Sequence, residues 1–150
     1  MKLILTSISQ KDLESINIEL KDKKISFDPR KHLQFNADFG QCNEFLAEHA
    51  TLIALAKTAE ADVRLAEAEL AGVKARVDGN VRSGWDADRD GKMTEAGVAG
   101  RVRTDKNVMI AESHAQDSQT GAAILSGLLA ASSVKYAQVV AYLYTSTKQP

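Results

Sequence analysis

The sequence contains little that interrupts a helix. Its two prolines are Pro29 and Pro150, and its one tryptophan is Trp85, in a chain of 150 residues rich in alanine. Proline is the worst residue for a helix interior and alanine the best, so the composition favours helix over sheet. Cys42 stands alone, which excludes an intrachain disulfide framework and a thiolate metal cluster and fits a reducing, intracellular setting. Long apolar runs are missing too. The opening MKLILTSISQKDLE has only Leu3 to Leu5 between Lys2 and polar residues, too short for a signal-peptide core. The most apolar later window, Gly121 to Val134, lies between Asp117 and Lys135 and falls short of the roughly 20 residues a bilayer crossing needs. A soluble, cytoplasmic protein without a membrane partner is expected.

Enzyme signatures are absent as well. His32, His49 and His114 lie far apart, with no short metal-ligand spacing. Cys42 and Ser118 have no recognisable base arrangement around them, and no GxxxxGK[ST] phosphate loop occurs. No enzyme and no required cofactor are expected.

What is present is periodicity. Between 36 and 78, Phe45, His49, Leu52, Ala56, Ala59, Val63, Ala66, Leu70, Val73 and Val77 alternate steps of three and four, the spacing that keeps one stripe against a partner helix. Gly79, Gly84 and Gly91 then predict a loop or ordered tip over 79–93. Thr94 followed by Glu95 starts a short helix, and Thr104 or Asp105 starts a second long one reaching about Tyr144. On that helix Val108, Ile110, Ala111, Ala115, Ala122, Leu125, Leu128, Leu129, Ala137, Val140, Ala141 and Tyr144 supply the apolar positions. The small-residue segment GAAILSGLLAASS permits close backbone approach, and apolar surface on both sides of one helix predicts self-association. Before the hairpin, residues 7–20 predict a short helix, with Leu13, Ile16 and Leu20 on one side, followed by an extended Ile25–Phe27. The expected fold class is therefore all-α: two long antiparallel helices, a short helix at the connecting tip and a short N-terminal arm, assembled as a coiled-coil bundle or ring. Residues 1–35 form the arm, and 36–150 the hairpin that carries oligomerisation and binding.

The net charge of −1 gives no whole-chain attraction for a polyanion, but its distribution is uneven. Residues 37–73 carry −5, whereas 74–106 carry +2. Within that second segment two chemistries compete. In DADRDGKMT, Asp86, Asp88 and Asp90 alternate before Gly91, like the first half of an EF-hand loop. The closing carboxylate is missing, because the twelfth position is Gly97. A weak calcium or magnesium contact is one reading of these aspartates, and turn formation and capping is the other. Lys74, Arg76, Arg82, Lys92, Arg101 and Arg103 form the competing basic set, suited to phosphate, unless pairs such as Lys74 with Asp78 and Arg82 with Asp86 merely neutralise it.

The words IELKDKKISFDPRKHLQ and VKARVDG, with a long alanine- and acid-rich helix between them and a long final helix, resemble the UvsY-type recombination mediators of tailed phages. The resemblance covers nearly the whole chain in organisation. It implies a non-enzymatic protein of DNA recombination and repair that binds single-stranded DNA, forms a closed helical homo-oligomer and helps load a RecA-like recombinase onto DNA covered by single-strand-binding protein. If the chain is phage-encoded, its compartment is the host cytoplasm. The family's [LV]-K-A-R-[LV]-D word carries DNA contacts over to Lys74 and Arg76. Arg82, Lys92, Arg101 and Arg103 join them by charge and proximity alone. The chain departs from the expected pattern in its slightly acidic balance and in the aspartates beside the basic word. A phage structural or assembly adaptor and a calcium-stabilised interaction module are the competing functions.

Overall fold

The computed structural model describes residues 2–5, 16–20, 23–27 and 32–147. Three short strands, β1 (Lys2–Leu5), β2 (Ile16–Leu20) and β3 (Lys23–Phe27), form an antiparallel sheet in the order β1-β2-β3. The helices α1 (Phe39–Ser83), α2 (Ala87–Asp90), α3 (Glu95–Thr104) and α4 (Lys106–Ser146) follow. The helical body is the expected one, with two long helices and a short one between them.

The arm differs from expectation. Residues 16–20, assigned above to a helix, are strand β2, whose antiparallel partner β3 is the expected extended segment around Ile25. The rest of the expected helix, 7–15, lies outside the described residues. INIEL alternates apolar and polar residues at period two, and the register sets Ile16 opposite Phe27 and Ile18 opposite both Ile25 and Leu3. Alternation of this kind signals a strand, and it outweighs the weaker three-and-four spacing of Leu13, Ile16 and Leu20.

The chain divides into two compact units, one made of Met1–Glu60 and Thr120–Pro150, the other of Ala61–Gln119. In the first, α1 and α4 run antiparallel, and the anticipated stripe of α1 is the buried one. Leu52, Leu55, Ala56 and Ala59 pack with Leu125 and Leu128, and a second cluster joins Cys42 and Phe45 to Val139. Burying one such leucine fully contributes about 1.5–3 kcal/mol. Asp38 starts α1, its carboxylate accepting the Gln41 amide at 2.8 Å.

A polar layer lies in the same unit. His49, 8 % exposed, stacks between Phe45 and Tyr136 at centroid distances of 5.5 and 4.9 Å, and its Nδ1 is 2.9 Å from Ser132 Oγ. Lys135 is buried; its Nζ donates to the His32 carbonyl at 2.6 Å and lies 4.3 Å from the Phe45 ring centroid. Burial, and secondarily His32, pushes the His49 imidazole below its usual pKa. Burial also lowers the Lys135 ammonium, with Glu48 and Cys42 acting against it.

The face of α4 that points inward is therefore not wholly the one anticipated. Leu125 and Leu128 lie on it, but Ser132 and Lys135 continue it, while Ile110, Ala137, Val140, Ala141 and Tyr144 are exposed. By length and composition α4 is apolar enough to cross a membrane, its most apolar 18-residue window having mean hydropathy 1.3.

In the second unit α1 again runs antiparallel to α4, with Ala66, Val77, Val98, Val108, Ala111 and Ala115 buried. Gly79 does not end α1, which continues to Ser83 and takes up the first five residues of the expected loop. A helical glycine costs only about 1 kcal/mol relative to alanine, too little to break a helix whose Val77 is buried. Thr94 and Asp105 cap as expected: Thr94 Oγ1 accepts the Gly97 amide at 3.1 Å, and Asp105 Oδ1 accepts the Asn107 amide at 2.8 Å.

Candidate nucleic-acid interface

The segment between the long helices is organised around the one tryptophan. Trp85 Nε1–H donates to the Gly91 carbonyl at 2.9 Å, and Gly91 itself sits at φ 72°, in the left-handed region that glycine enters without strain. The Arg101 guanidinium lies 4.2 Å from the centroid of the indole ring. Gly97 of α3 abuts the ring, since a Cβ at this position would be 2.9 Å from Trp85 Cη2. One aromatic side chain thus ties α2, α3 and the end of α1 together.

The aspartates serve this fold. Asp86 caps α2, its Oδ1 accepting the amides of Asp88 at 3.0 Å and Arg89 at 3.4 Å. Asp90 pairs with Arg101 at 2.9 Å and Arg89 at 3.2 Å and accepts the Asp86 amide at 3.2 Å. Hydrogen bonds from Arg101 first, then Arg89, hold its carboxyl well below the usual carboxylate range. Asp88 remains exposed. Two of the three residues assigned to a cation are thus engaged by protein donors, and among the described residues no three His, Cys, Asp or Glu side chains gather in a way that would hold a metal. Capping and turn formation, the alternative reading of DADRDG, accounts for Asp86 and Asp90.

The six cations fall into two groups. Arg82 and Arg101 are built into the protein. Arg82 makes a bidentate bridge to Glu95, Nη1 to Oε1 at 2.9 Å and Nη2 to Oε2 at 2.6 Å, while its Nε donates to Asp78 at 2.6 Å. Glu95 and then Asp78 hold this guanidinium still more firmly protonated, and Arg82 in turn lowers the Glu95 carboxyl. The expected Arg82–Asp86 and Lys74–Asp78 pairs are replaced by Arg82 with Asp78 and Glu95, and by Lys74 with Glu112 at 2.8 Å.

Lys74, Arg76, Lys92 and Arg103 form the other group. All four are exposed, and Arg76, Lys92 and Arg103 make no ion pair among the described residues. Lys74 keeps 45 % of its side chain exposed even while paired. The antiparallel course of α1 and α4 brings Lys74 and Arg103 to one groove of about 520 Å³, lined also by Ala75, Asp78, Ala99, Val102 and Glu112. Chemically it is an apolar floor with two cationic and two anionic groups on its walls. Charge counting identified Lys74 and Arg103 separately. It missed Glu112, because the pairing with Lys74 depends on how α1 and α4 align, and it missed the floor of Ala99 and Val102, which carries no chemical signature.

No family model, no curated protein and no solved structure matches this chain.

Proposed function

We propose that this chain is a non-enzymatic recombination mediator: a homo-oligomer that binds single-stranded DNA and assists loading of a RecA-like recombinase onto DNA covered by single-strand-binding protein. The observation that carries the reading is the exposure of Lys74, Arg76, Lys92 and Arg103 while Asp78, Asp90 and Glu95 are taken up by Arg82, Arg89 and Arg101. Asp78, Asp90 and Glu95 already have cationic partners, which limits their repulsion of a phosphate bound nearby. Lys74 and Arg76 also belong to the VKARVD word on which the resemblance rests.

Self-association is supported by the outer face of α4. Ala123, Gly127, Ala130, Val134, Ala137 and Ala141 recur at steps of four and three, all exposed and none charged, the periodicity of a helix seam. Several copies of a weak phosphate contact, held in one assembly, raise the avidity for a long strand without any new contact.

The test is a fluorescence-anisotropy titration of labelled single-stranded oligonucleotides with the protein and its Lys74→Glu/Arg76→Glu variant. Binding should weaken for every sequence, and the slope of log affinity against log salt should flatten by about 0.7 for each lost phosphate contact. Unchanged affinity and slope in a variant of unaltered mass and helicity would refute the assignment. The exposed seam also suits a phage assembly adaptor, and that reading predicts oligomers with no appreciable affinity for single strands.

A further inference from the structure

The groove beside Lys74 has features that charge neutralisation alone does not explain. Its volume of about 520 Å³ falls within the roughly 300–1,000 Å³ of clefts that hold small ligands. Its floor is apolar, from Ala75, Ala99 and Val102. Of its carboxylates, Asp78 is bonded to Arg82 and Glu112 to Lys74, which leaves Arg103 as the wall cation without a carboxylate partner among the described residues. The Lys74–Glu112 pair is itself half exposed, at 45 and 43 %, so an incoming anion can compete for the ammonium.

We propose that this groove seats one unstacked nucleotide of a single strand, its phosphate held by Lys74 and Arg103 and its base laid on Ala75, Ala99 and Val102, with Glu112 as the carboxylate that the phosphate displaces from Lys74. The proposal rests on the DNA-binding reading above and adds a subsite and a built-in competitor to it. A base fits an apolar floor only when its faces are free, and in a duplex both are covered by neighbouring base pairs. The groove therefore selects single strands by what must be unstacked rather than by sequence. Glu112 sets a threshold: until phosphate arrives the cation is satisfied within the protein, which suppresses capture of small anions and leaves the affinity to strands that fill the floor as well.

The experiment compares the protein, Glu112→Gln, Arg103→Ala and Ala99→Leu in anisotropy titrations with three probes of equal phosphate count: a single strand, the same strand with abasic sites, and a duplex. Glu112→Gln should tighten single-strand binding about 1.5- to fivefold, the range spanned by exposed ion pairs. Arg103→Ala should weaken it and flatten the salt slope by about 0.7. Ala99→Leu, a helix-compatible change at an exposed position that fills the groove, should weaken the normal strand about fivefold and leave the abasic strand unaffected. Trp85 fluorescence checks that each variant retains the folded tip. If the protein binds no oligonucleotide at low salt, the DNA reading itself falls. If it binds, and Lys74→Glu/Arg76→Glu abolishes binding while Glu112→Gln and Ala99→Leu change nothing, the DNA reading stands and the groove is not its subsite. Weaker binding by Glu112→Gln overturns the competitor role.

Discussion

Two glycines of one short helix should respond to the same substitution with opposite sign. Gly97 and Gly100 both lie in α3, and a glycine in a helix interior is less favourable than alanine by about 1 kcal/mol. At Gly100 an added Cβ meets nothing within 4 Å, so Gly100→Ala should stabilise by about 0.5–1 kcal/mol, partly by restricting the unfolded chain. At Gly97 the same methyl lies 2.9 Å from Trp85 Cη2 and 3.1 Å from Thr94 Oγ1. Carbon atoms settle at about 3.5–4.0 Å, so the indole or α3 must shift by more than half an ångström. The ring is held by its bond to the Gly91 carbonyl and by the Arg101 guanidinium over its face, and it cannot yield without loosening both. Overpacking of this kind costs about 1–3 kcal/mol, which outweighs the helix gain and leaves Gly97→Ala destabilised by about 1 kcal/mol. The two variants should therefore differ by about 2 kcal/mol, read from urea midpoints followed by the fluorescence of the one tryptophan. If Gly97→Ala proves as stabilising as Gly100→Ala, Trp85 does not pack on α3 and the organisation given for the tip is wrong.

Further expectations concern the first unit. Leu125, fully buried against Leu52, Ala56 and Ala59, should lose about 2–5 kcal/mol on change to alanine, measured by denaturant unfolding; a loss below 1 kcal/mol would mean the two helices are not aligned as described. The depressed pKa of His49 gives a pH dependence of definite sign. Above about 6.5, the ordinary value, the ring is neutral folded or unfolded. As pH falls below 6.5 the unfolded chain takes up a proton that the buried site resists, so stability drops. Thermal unfolding between pH 7.5 and 5 should show this loss, and His49→Gln should flatten it; an unchanged profile would remove His49 as its source.

The long helices were legible in the sequence because their signal is local and redundant. Every position of the α1 stripe from Phe45 to Val77 is buried or half-buried, as the spacing required, and Thr94 and Asp105 cap where short acceptors precede helical runs. Local signals also misled. Gly79 suggested a break that packing overrides, and the helical spacing of Leu13, Ile16 and Leu20 runs into a segment that pairs as strand β2.

The site was legible in composition but not in partnership. Lys74, Arg76, Arg82, Lys92, Arg101 and Arg103 all stood out as charges, yet nothing along the chain distinguishes Arg82 and Arg101, whose ion pairs fasten the tip, from Arg76 and Arg103, which make no ion pair among the described residues. That division depends on where Glu95, Asp90 and Trp85 come to rest. By itself the sequence determined that two long helices form and which stripe of α1 turns inward, since periodicity and backbone preference act over a few residues. Only the tertiary structure decided which face of α4 is buried, which carboxylate meets which cation, and that Lys74 and Arg103 share one groove, because an ion pair or a cavity depends on distances in space that sequence separation does not encode.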